Sequence, residues 1–300
     1  MKEYYVSHEK WYNNLDSILG KYLFDEKGVI QISTDVLKKN RIDTPDEGSY
    51  FYHPIVLTHY GLYSYDLFLR TNDEKALKSF INQVEGLLNI GTKSQNSLVY
   101  PFPYENQRYG VSKGWVSGMI QGEALSCFAR AYDRTKDERF LAAAEAVFHS
   151  FCIPYDSEYG FMNEDEYGIW FEEVPAKTPP HILNGFIFAI FGLWDYYIVC
   201  KNPAAGHLAQ KAMDTVENAL EDYDTGYWSF YDLRGVMAPR KYHADVHIPQ
   251  LDALFQITGN ESFLAMRHRW ERYSRSKIKF LMSRVSHICW KLSSKRIRVF

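Results

Sequence analysis

The chain has 300 residues, 46% of them hydrophobic and 16% aromatic, which is enough apolar material for a sizeable core in one large domain or two modest ones. Its formal net charge is −3, so the chain as a whole lacks the basic balance of a nucleic-acid-binding protein, and we expect no nucleic-acid partner. It contains no Gly-rich phosphate loop, no G-x-S-x-G elbow and no dinucleotide fingerprint, which argues against the enzyme classes that carry these motifs.

The first ten residues, M-K-E-Y-Y-V-S-H-E-K, contain no apolar core of the kind found in signal peptides. The most apolar run extends from His181 to Cys200 and carries Asn184 and Asp195 near its two ends, which favours a buried helix over a membrane span. The four cysteines show no C-x-x-C spacing, so we expect reduced thiols rather than a zinc site. These features predict a cytoplasmic protein.

A weak internal repeat organises the chain. The stretches R-T-N-D-E-K-A-L, R-T-K-D-E-R-F-L, C-K-N-P-A-A-G-H-L and I-T-G-N-E-S-F-L begin at positions 70, 134, 200 and 257, about 57 to 66 residues apart. Each stretch has the chemistry of a short turn followed by the start of a helix. The period does not fit the ~34-residue two-helix repeats, because long loops separate the pairs, although a solenoid remains an alternative.

Each repeated turn is preceded by an apolar, aromatic helix and followed by an amphipathic helix, such as the one predicted over Glu138–Ser150. The predicted first helices cover approximately 53–69, 115–132, 182–199 and 245–256. An apolar first helix and a half-exposed second helix are typical of the inner and outer helices of an α/α toroid. We therefore predict a mainly α fold, an incomplete barrel of about four helical hairpins. Residues 51–276 form the predicted toroid, 1–50 an N-terminal extension and 277–300 a basic C-terminal tail.

Three long loops join the predicted hairpins, at about 90–114, 151–180 and 222–242, and the topology places all three on one face of the toroid. They hold ten of the 23 Tyr residues in about a quarter of the chain. The segments 160–173 and 225–233 alternate like short strands, so we predict small β-hairpins within these loops. Because long loops in a compact domain are usually functional and Tyr rings suit wet stacking surfaces, the loops predict a cleft for a sugar chain.

Two clusters in these loops are candidates for chemistry. The first, W-F-E-E-V-P, carries Glu172 and Glu173, which face opposite sides if the segment is a strand, so we expect one in the cleft and the other in solvent. The second runs from Tyr223 to Arg234 and reads Y-D-T-G-Y-W-S-F-Y-D-L-R. The guanidinium of Arg234 offers a fork of donors that suits a carboxylate. A hairpin in which Asp232 pairs with Arg234 is the structural alternative.

A third cluster, K-Y-H-A-D-V-H-I-P-Q, places Tyr242, His243 and His247 at the start of the last inner helix, on the cleft side. The two histidines are four residues apart, a spacing that can bind zinc, but no H-E-x-x-H glutamate follows the first of them. Packing and hydrogen bonding at the helix start are therefore the preferred interpretation, and we predict no metal ligands.

Basic residues concentrate at the C-terminal end of the chain. Positions 267–300 contain eleven Lys and Arg and one acidic residue, which leaves 23 basic and 36 acidic residues before them, a net charge near −13. The charge of this tail suits membrane lipid, nucleic acid or another polyanion, although we expect no nucleic-acid partner, and a biosynthetic partner is a further candidate. A solvated helix face is the alternative.

In these clusters the sequence resembles the C-terminal domain of the D-glucuronyl C5-epimerases, which act on heparosan and heparan-type chains. The resembling stretches occur in order over roughly residues 50–270. They are F-Y-H-P-I (51–55), G-W-V-S-G-M-I-Q-G (114–122), W-F-E-E-V-P (170–175), L-N-G-F (183–186), Y-D-T-G (223–226), Y-D-L-R (231–234) and K-Y-H…H-I-P-Q-L (241–251).

The resemblance implies an α/α-toroid catalytic domain, often a homodimer, that converts D-glucuronate to L-iduronate within a heparosan-like polysaccharide. It implies catalytic roles for Glu173, Tyr231 and Tyr242. In the same stretches, the predicted substrate-binding residues are Arg234, Tyr223, Asn184, Trp115, Gln121 and His243. The family has a further active-site tyrosine where this chain has Val174. The implied chemistry requires no cofactor, and a structural Ca²⁺ is implied by analogy without assigned ligands.

The C5 hydrogen of a uronate lies beside a carboxylate and is a very weak acid, so the site must stabilise the negative charge that develops as the proton leaves. Arg234 is the predicted partner of the carboxylate. Glu173 and Tyr242 are predicted to exchange the proton on opposite faces of C5, and Tyr231 to position the carboxylate or relay the proton. A uronate lyase, a glycoside hydrolase on the same toroid and a non-catalytic sugar-binding module are the alternatives.

Overall fold

The computed structural model describes residues 22–35 and 49–297. Side chains are described up to residue 288, and for residues 289–297 only the backbone is described. Predictions that concern residues 1–21, 36–48 and 298–300 lie outside the described residues. The strands are β1 (Tyr22–Phe24), β2 (Ile30–Ser33), β3 (Tyr50–Phe51), β4 (Thr92–Ser94), β5 (Ser97–Val99), β6 (Met162–Asp165) and β7 (Gly168–Phe171). The helices are α1 (Pro54–Thr71), α2 (Glu74–Ile90), α3 (Gly118–Thr135), α4 (Glu138–Ser150), α5 (Leu183–Cys200), α6 (Pro203–Ala219), α7 (Ile248–Thr258), α8 (Glu261–Ser274) and α9 (Lys277–Ile297).

Four helical hairpins, α1–α2, α3–α4, α5–α6 and α7–α8, build the predicted α/α toroid, and the fold prediction is confirmed. The first helix of each pair is the inner one, and the inner helices α3 and α5 pack closely on each other. A Cβ at Gly122 of α3 would lie 2.4 Å from the Cα of Ala189 of α5, so the close contact between these two helices requires glycine at this position. Helix α5 has the length and apolarity of a membrane span, but 72% of it is buried inside the protein.

The internal repeat marks the turn from each inner helix to its outer helix. Each inner helix ends at a residue with a left-handed backbone, at φ between 54° and 71°: Asn72, Lys136, Lys201 and Gly259. The residue after each of these is the N-cap of the outer helix, and its side-chain oxygen accepts a hydrogen bond from the backbone N–H of the residue two positions further along the chain. The four N-cap residues are Asp73, Asp137, Asn202 and Asn260. The repeat therefore encodes one two-residue turn, used four times.

Residues 22–35, which the sequence analysis placed in an N-terminal extension, contribute to the core of the toroid. Strands β1, β2 and β3 form an antiparallel sheet whose residues Ile30 and Ile32 are buried. Gln83 of α2 accepts the backbone N–H of Ile30 at 2.9 Å and donates to the carbonyl of Gly28 at 2.8 Å. The described part of the segment is thus packed on the first hairpin, while a domain boundary at residue 50 stays a prediction.

The loops on the cleft face contain the β4–β5 and β6–β7 hairpins, and the hairpin predicted over 160–173 is confirmed. The segment predicted as a hairpin over 225–233 instead shows isolated bridges, Asp224 with Ser229 and Phe230 with Met237. The last inner helix also differs from its prediction, because a helical turn at Arg240–Tyr242 and a π-helical turn at His243–His247 precede α7. Pro249, which has no N–H to donate to the preceding turn, explains the wider π geometry.

Candidate active site

Glu173 is the second residue after the β6–β7 hairpin and rests on the first turns of two inner helices. The backbone N–H of Gly118, at the start of α3, donates to the carbonyl of Glu172 at 2.8 Å. A Cβ at Gly185, in the first turn of α5, would lie 2.1 Å from Oε2 of Glu173 and 2.6 Å from its Cβ. Only glycine therefore leaves room for the glutamate, and the two helix starts fix its position.

Two neutral donors hold the carboxylate of Glu173. The hydroxyl of Tyr231 donates to Oε1 at 3.3 Å, and Nδ2 of Asn184 donates to Oε2 at 3.3 Å. The backbone of Asn184 is itself held by Gln250, whose Nε2 donates to its carbonyl at 2.9 Å. The Tyr231 ring packs edge-on against that of Tyr242, with centroids 5.2 Å apart and planes at 86°. The structure thus brings the three predicted catalytic residues together with Asn184.

Burial sets the protonation of this cluster. Glu173 keeps some contact with solvent, but burial of its carboxylate raises its pKa to about 8. The hydrogen bond from Tyr231 and the charge of Arg108 lower this pKa and only partly offset the effect of burial. Burial also raises the pKa of Tyr242 to about 12 and that of Tyr231 well above 10. At neutral pH both protonation states of Glu173 are therefore populated, and the tyrosines are proton donors.

An arginine that the sequence analysis missed lies beside the cluster. The guanidinium of Arg108, in the loop between β5 and α3, is 5.4 Å from the ring centroid of Tyr109 and 5.6 Å from that of Tyr231. Its charge lowers the pKa of Glu173. Arg234, the predicted clamp, is exposed, with its guanidinium 5.8 Å from the Tyr109 ring. The only signal for Arg108 was its place in a Tyr-rich loop, because its contact with Tyr231 joins segments distant in sequence.

Asp232 fixes the turn that carries Tyr231 and Arg234. Its carboxylate is fully buried, and Oδ1 accepts the backbone N–H groups of Arg234 at 3.1 Å and Val236 at 3.0 Å. Oδ2 accepts the hydroxyl of Tyr109 at 2.8 Å. Asp232 therefore ties two of the cleft loops together through Tyr109.

Val174 stands where the resemblance implies a tyrosine in the family. It is 3% exposed, so its side chain is buried in the interior of this protein. Burial and the charge of Asp232 raise the pKa of Tyr109, and the charge of Glu173 adds to this effect. Tyr109 is therefore a third tyrosine within electrostatic range of Glu173, supplied by a different loop.

The prediction that one glutamate of the pair faces solvent is wrong, because Glu172 is 1% exposed. Its Oε1 lies 2.7 Å from Nδ1 of His181, and its Oε2 accepts the His181 backbone N–H at 3.2 Å. His181 also lies 3.2 Å from Asp165 and stacks on Trp170 with ring centroids 4.2 Å apart. Strand alternation correctly predicted that the two glutamates point in opposite directions. The side on which Glu172 lies is not open to solvent, because the loop that contains His181 covers it. Glu172 consequently anchors the backbone next to Glu173.

Four other predicted substrate-binding residues direct their polar atoms into the scaffold. Nε2 of Gln121 donates to a backbone carbonyl of β5 and to a hydroxyl of α4, and its Oε1 accepts the backbone N–H of the residue that follows β5. Trp115 donates to a carbonyl in its own loop. Tyr223 donates to the carbonyl of His181 at 2.5 Å. His243 is buried against a tryptophan ring at 3.8 Å, and burial lowers its pKa to about 4. These contacts support roles in holding the loops, and substrate binding by these four residues stays a prediction.

The His243–His247 pair shares one hydroxyl. Nδ1 of His243 lies 2.8 Å and Nδ1 of His247 lies 3.1 Å from Oγ of Ser229. Over residues 22–35 and 49–297, no group of three His, Cys, Asp or Glu side chains is arranged to hold a metal ion. We therefore assign no ligands to the Ca²⁺ that the resemblance implies.

The chain is similar to known proteins in sequence and in fold. The family described as D-glucuronyl C5-epimerase C-terminus matches residues 92–272, which include Glu173, Tyr231 and Tyr242. A D-glucuronyl C5-epimerase of Caenorhabditis elegans is 31% identical over 183 residues, or 55% of this chain and 29% of that protein. An uncharacterized protein of Methanocaldococcus jannaschii is 30% identical over 188 residues, or 60% of this chain and 59% of that protein. The chain spans less than two thirds of the length of either relative.

A family 76 glycoside hydrolase, the α-mannanase of Bacteroides thetaiotaomicron solved as a selenomethionine derivative, superposes on this chain with a TM-score of 0.52. The match has 12% sequence identity and covers 88% of this chain and 68% of that one. At this identity the likeness concerns the toroid fold alone. Because the family match extends over more than half of the sequence, the chain belongs to the D-glucuronyl C5-epimerase C-terminus family.

Proposed function

We propose that the chain is a uronate C5-epimerase that converts glucuronate to iduronate residues within an acidic, heparosan-like polysaccharide, and that it works as a homodimer. The proposal is carried by Glu173, a carboxyl group with a pKa near neutrality that accepts a hydrogen bond from Tyr231. A group that both takes up and releases a proton near the working pH is what general acid–base catalysis requires. The family membership and the neighbouring Tyr242 and Arg108 support the same reaction.

The reaction proceeds in two proton transfers. In the first, a base removes the C5 proton, and the electron pair of the broken C5–H bond spreads onto the uronate carboxylate, where a cation stabilises it. In the second, an acid delivers a proton to the opposite face of C5, and the new C5–H bond has the inverted configuration. Glu173 and Tyr242 are the proposed exchanging groups, and Tyr231 relays the proton or positions the carboxylate. Exchange with solvent restores both groups, so the reaction consumes no oxidant or reductant.

Arg108→Ala is expected to lower kcat/KM by about 10- to 100-fold, because a hydrogen bond to a charged group contributes about 1.5–3 kcal/mol. Arg234→Ala tests the clamp predicted from the sequence, and we expect a smaller loss from it. Arg134→Ala is the matched control, since its guanidinium lies over the Phe68 ring, on the helix α3 away from the cleft loops. Full activity of Arg108→Ala together with a large loss in Arg234→Ala would reverse the assignment.

The reaction itself is tested by incubation with a heparosan-type polymer in D₂O. We expect deuterium at C5 and an iduronate signal in the NMR spectrum. A lyase would instead give an unsaturated sugar that absorbs in the ultraviolet, and a glycoside hydrolase would give new reducing ends. Folded protein that binds glucuronate polymers but incorporates no deuterium into any of them would sink the proposal and favour a sugar-binding module.

A further inference from the structure

The last helix, α9, has an apolar face that the described part of the protein leaves uncovered. Five large apolar side chains recur at helical spacing between positions 278 and 288, so they lie on one side of the helix and are here called the apolar stripe. Their exposed fractions are 74% for Ile278, 64% for Leu281, 44% for Met282, 53% for Val285 and 54% for Ile288. A contiguous exposed stripe of this kind marks an interaction surface more often than isolated apolar residues do.

The other side of α9 is anchored to the toroid. Nζ of Lys279 donates to the carbonyl of Gly226 at 2.8 Å, and Oγ of Ser286 lies 2.8 Å from the hydroxyl of Tyr227. Between them on the helix, Ser283 is buried. Because these contacts fix the rotation of the helix about its axis, the apolar stripe points away from the body of the protein.

The charged side chains that α9 exposes among its described residues are positive. Lys277 and Arg284 are exposed on the same helix. Positions 267–300 contain eleven Lys and Arg, and their single acidic residue, Glu271, is paired with Arg267 at 3.2 Å. An apolar helix face flanked by cations is complementary to a bilayer with anionic lipid, which takes the apolar side chains among its acyl chains and the cations among its headgroups. A second copy that docked through the same face would bring like charges together.

We propose that α9 docks the protein on an anionic membrane surface, lying in the plane of the interface with the apolar stripe inserted among the headgroups. The stripe extends for about 17 Å, which suits an interfacial helix rather than a membrane span. The helix is anchored on Gly226 and Tyr227, in the same loop that carries Tyr231 of the candidate site. Docking therefore brings the loop that carries Tyr231 to the bilayer surface.

The proposal is tested by sedimentation of the full chain with vesicles of pure phosphatidylcholine and with vesicles that contain about one third phosphatidylglycerol. We expect binding to the anionic vesicles that weakens as salt is added. Leu281→Asp/Val285→Asp should lower the partition coefficient by about 100-fold, because two apolar side chains no longer insert. Lys277→Glu/Arg284→Glu should lower it by at least about tenfold.

Two matched variants control for these changes. Leu69→Asp alters an exposed leucine of α1, and Lys75→Glu/Lys78→Glu makes the same charge change on α2. Both should bind vesicles like the original protein, and thermal unfolding checks that all variants fold. The proposal fails if the original protein stays in the supernatant with anionic vesicles at low salt, or if Leu281→Asp/Val285→Asp binds undiminished.

A self-association that Leu281→Asp/Val285→Asp abolishes, without any vesicle binding by the original protein, would assign the apolar stripe to a second copy and overturn membrane docking. Light scattering of the original protein and of this variant measures that outcome. The vesicle experiment uses no uronate substrate, so its result is independent of the proposed epimerase activity.

Discussion

Glu173→Gln is expected to lower C5 proton exchange by about 1000-fold, because the amide cannot take up or release a proton. The substitution keeps the size of the side chain and its neighbours Tyr231 and Asn184, so positioning of the substrate should change little. In the unsubstituted protein, kcat/KM should rise as the pH increases through about 8, where Glu173 ionises. Glu164→Gln, an exposed neighbour on β6, is the control and should leave exchange unchanged. Exchange at the original rate in Glu173→Gln would exclude this residue as the proton carrier.

The same variant is expected to be more stable than the original protein at high pH. The folded-state pKa of Glu173, about 8, lies above its ordinary value of 4.5, so the folded state holds a proton that the unfolded chain releases between these values. Stability therefore falls as the pH rises from about 4.5 to 8. The Glu173→Gln variant has no such loss. Its free energy of unfolding should equal that of the original protein at pH 4 and exceed it by about 1–3 kcal/mol above pH 8, after allowance for the solvent contact of Glu173. Urea unfolding at pH 4 and pH 9 measures both ends, and a variant that is less stable than the original protein at pH 9 would contradict the raised pKa.

Gly185→Ala is expected to reduce exchange by about 100-fold or more, because a displacement of about 1 Å in a catalytic group has an effect of this size. The added Cβ would meet Glu173 at 2.1 Å from Oε2 and 2.6 Å from Cβ, and α5 is held between other helices, so the glutamate must move. The strain should also lower the free energy of unfolding by about 1–3 kcal/mol.

Gly61→Ala is the matched control for this change. It also adds a methyl group to an inner helix, α1, but its nearest neighbour would be Cβ of Gln83 at 3.3 Å. We expect its stability within about 1 kcal/mol of the original and its exchange rate unchanged. An unaltered exchange rate in Gly185→Ala would show that Glu173 tolerates displacement and does not carry the proton.

The sequence predicted those features that depend on local pattern. Helical periodicity located the inner and outer helices, and the repeat at positions 70, 134, 200 and 257 located the turns between them, because turn and cap residues act on their immediate neighbours. Strand alternation located the hairpin at 162–171 and separated Glu172 from Glu173. The meeting of Glu173 with Tyr231 followed from the resemblance to the family rather than from periodicity.

Features that depend on contact between distant segments escaped the sequence analysis. The cover over Glu172 comes from His181, and the cation beside Tyr231 comes from Arg108 in another loop. The helical pattern of α5 does not distinguish Gly185 from its neighbours, because the requirement for glycine comes from Glu173, which packs against it from another loop. The basic tail was recognised by its composition, but its apolar stripe became visible only when the contacts of Lys279 showed which side of α9 faces the toroid.

The four two-residue turns have a consequence for the order in which the protein folds. Each turn joins helices that are adjacent in the chain, so each hairpin can form early from local contacts. The cleft, in contrast, combines Arg108, Glu173 and Tyr231 from three separate loops, and it is complete only when the hairpins that frame those loops have associated. Opening of a single hairpin therefore removes the constellation while most helices persist. On heating, exchange activity should disappear at a lower temperature than the helical circular dichroism signal.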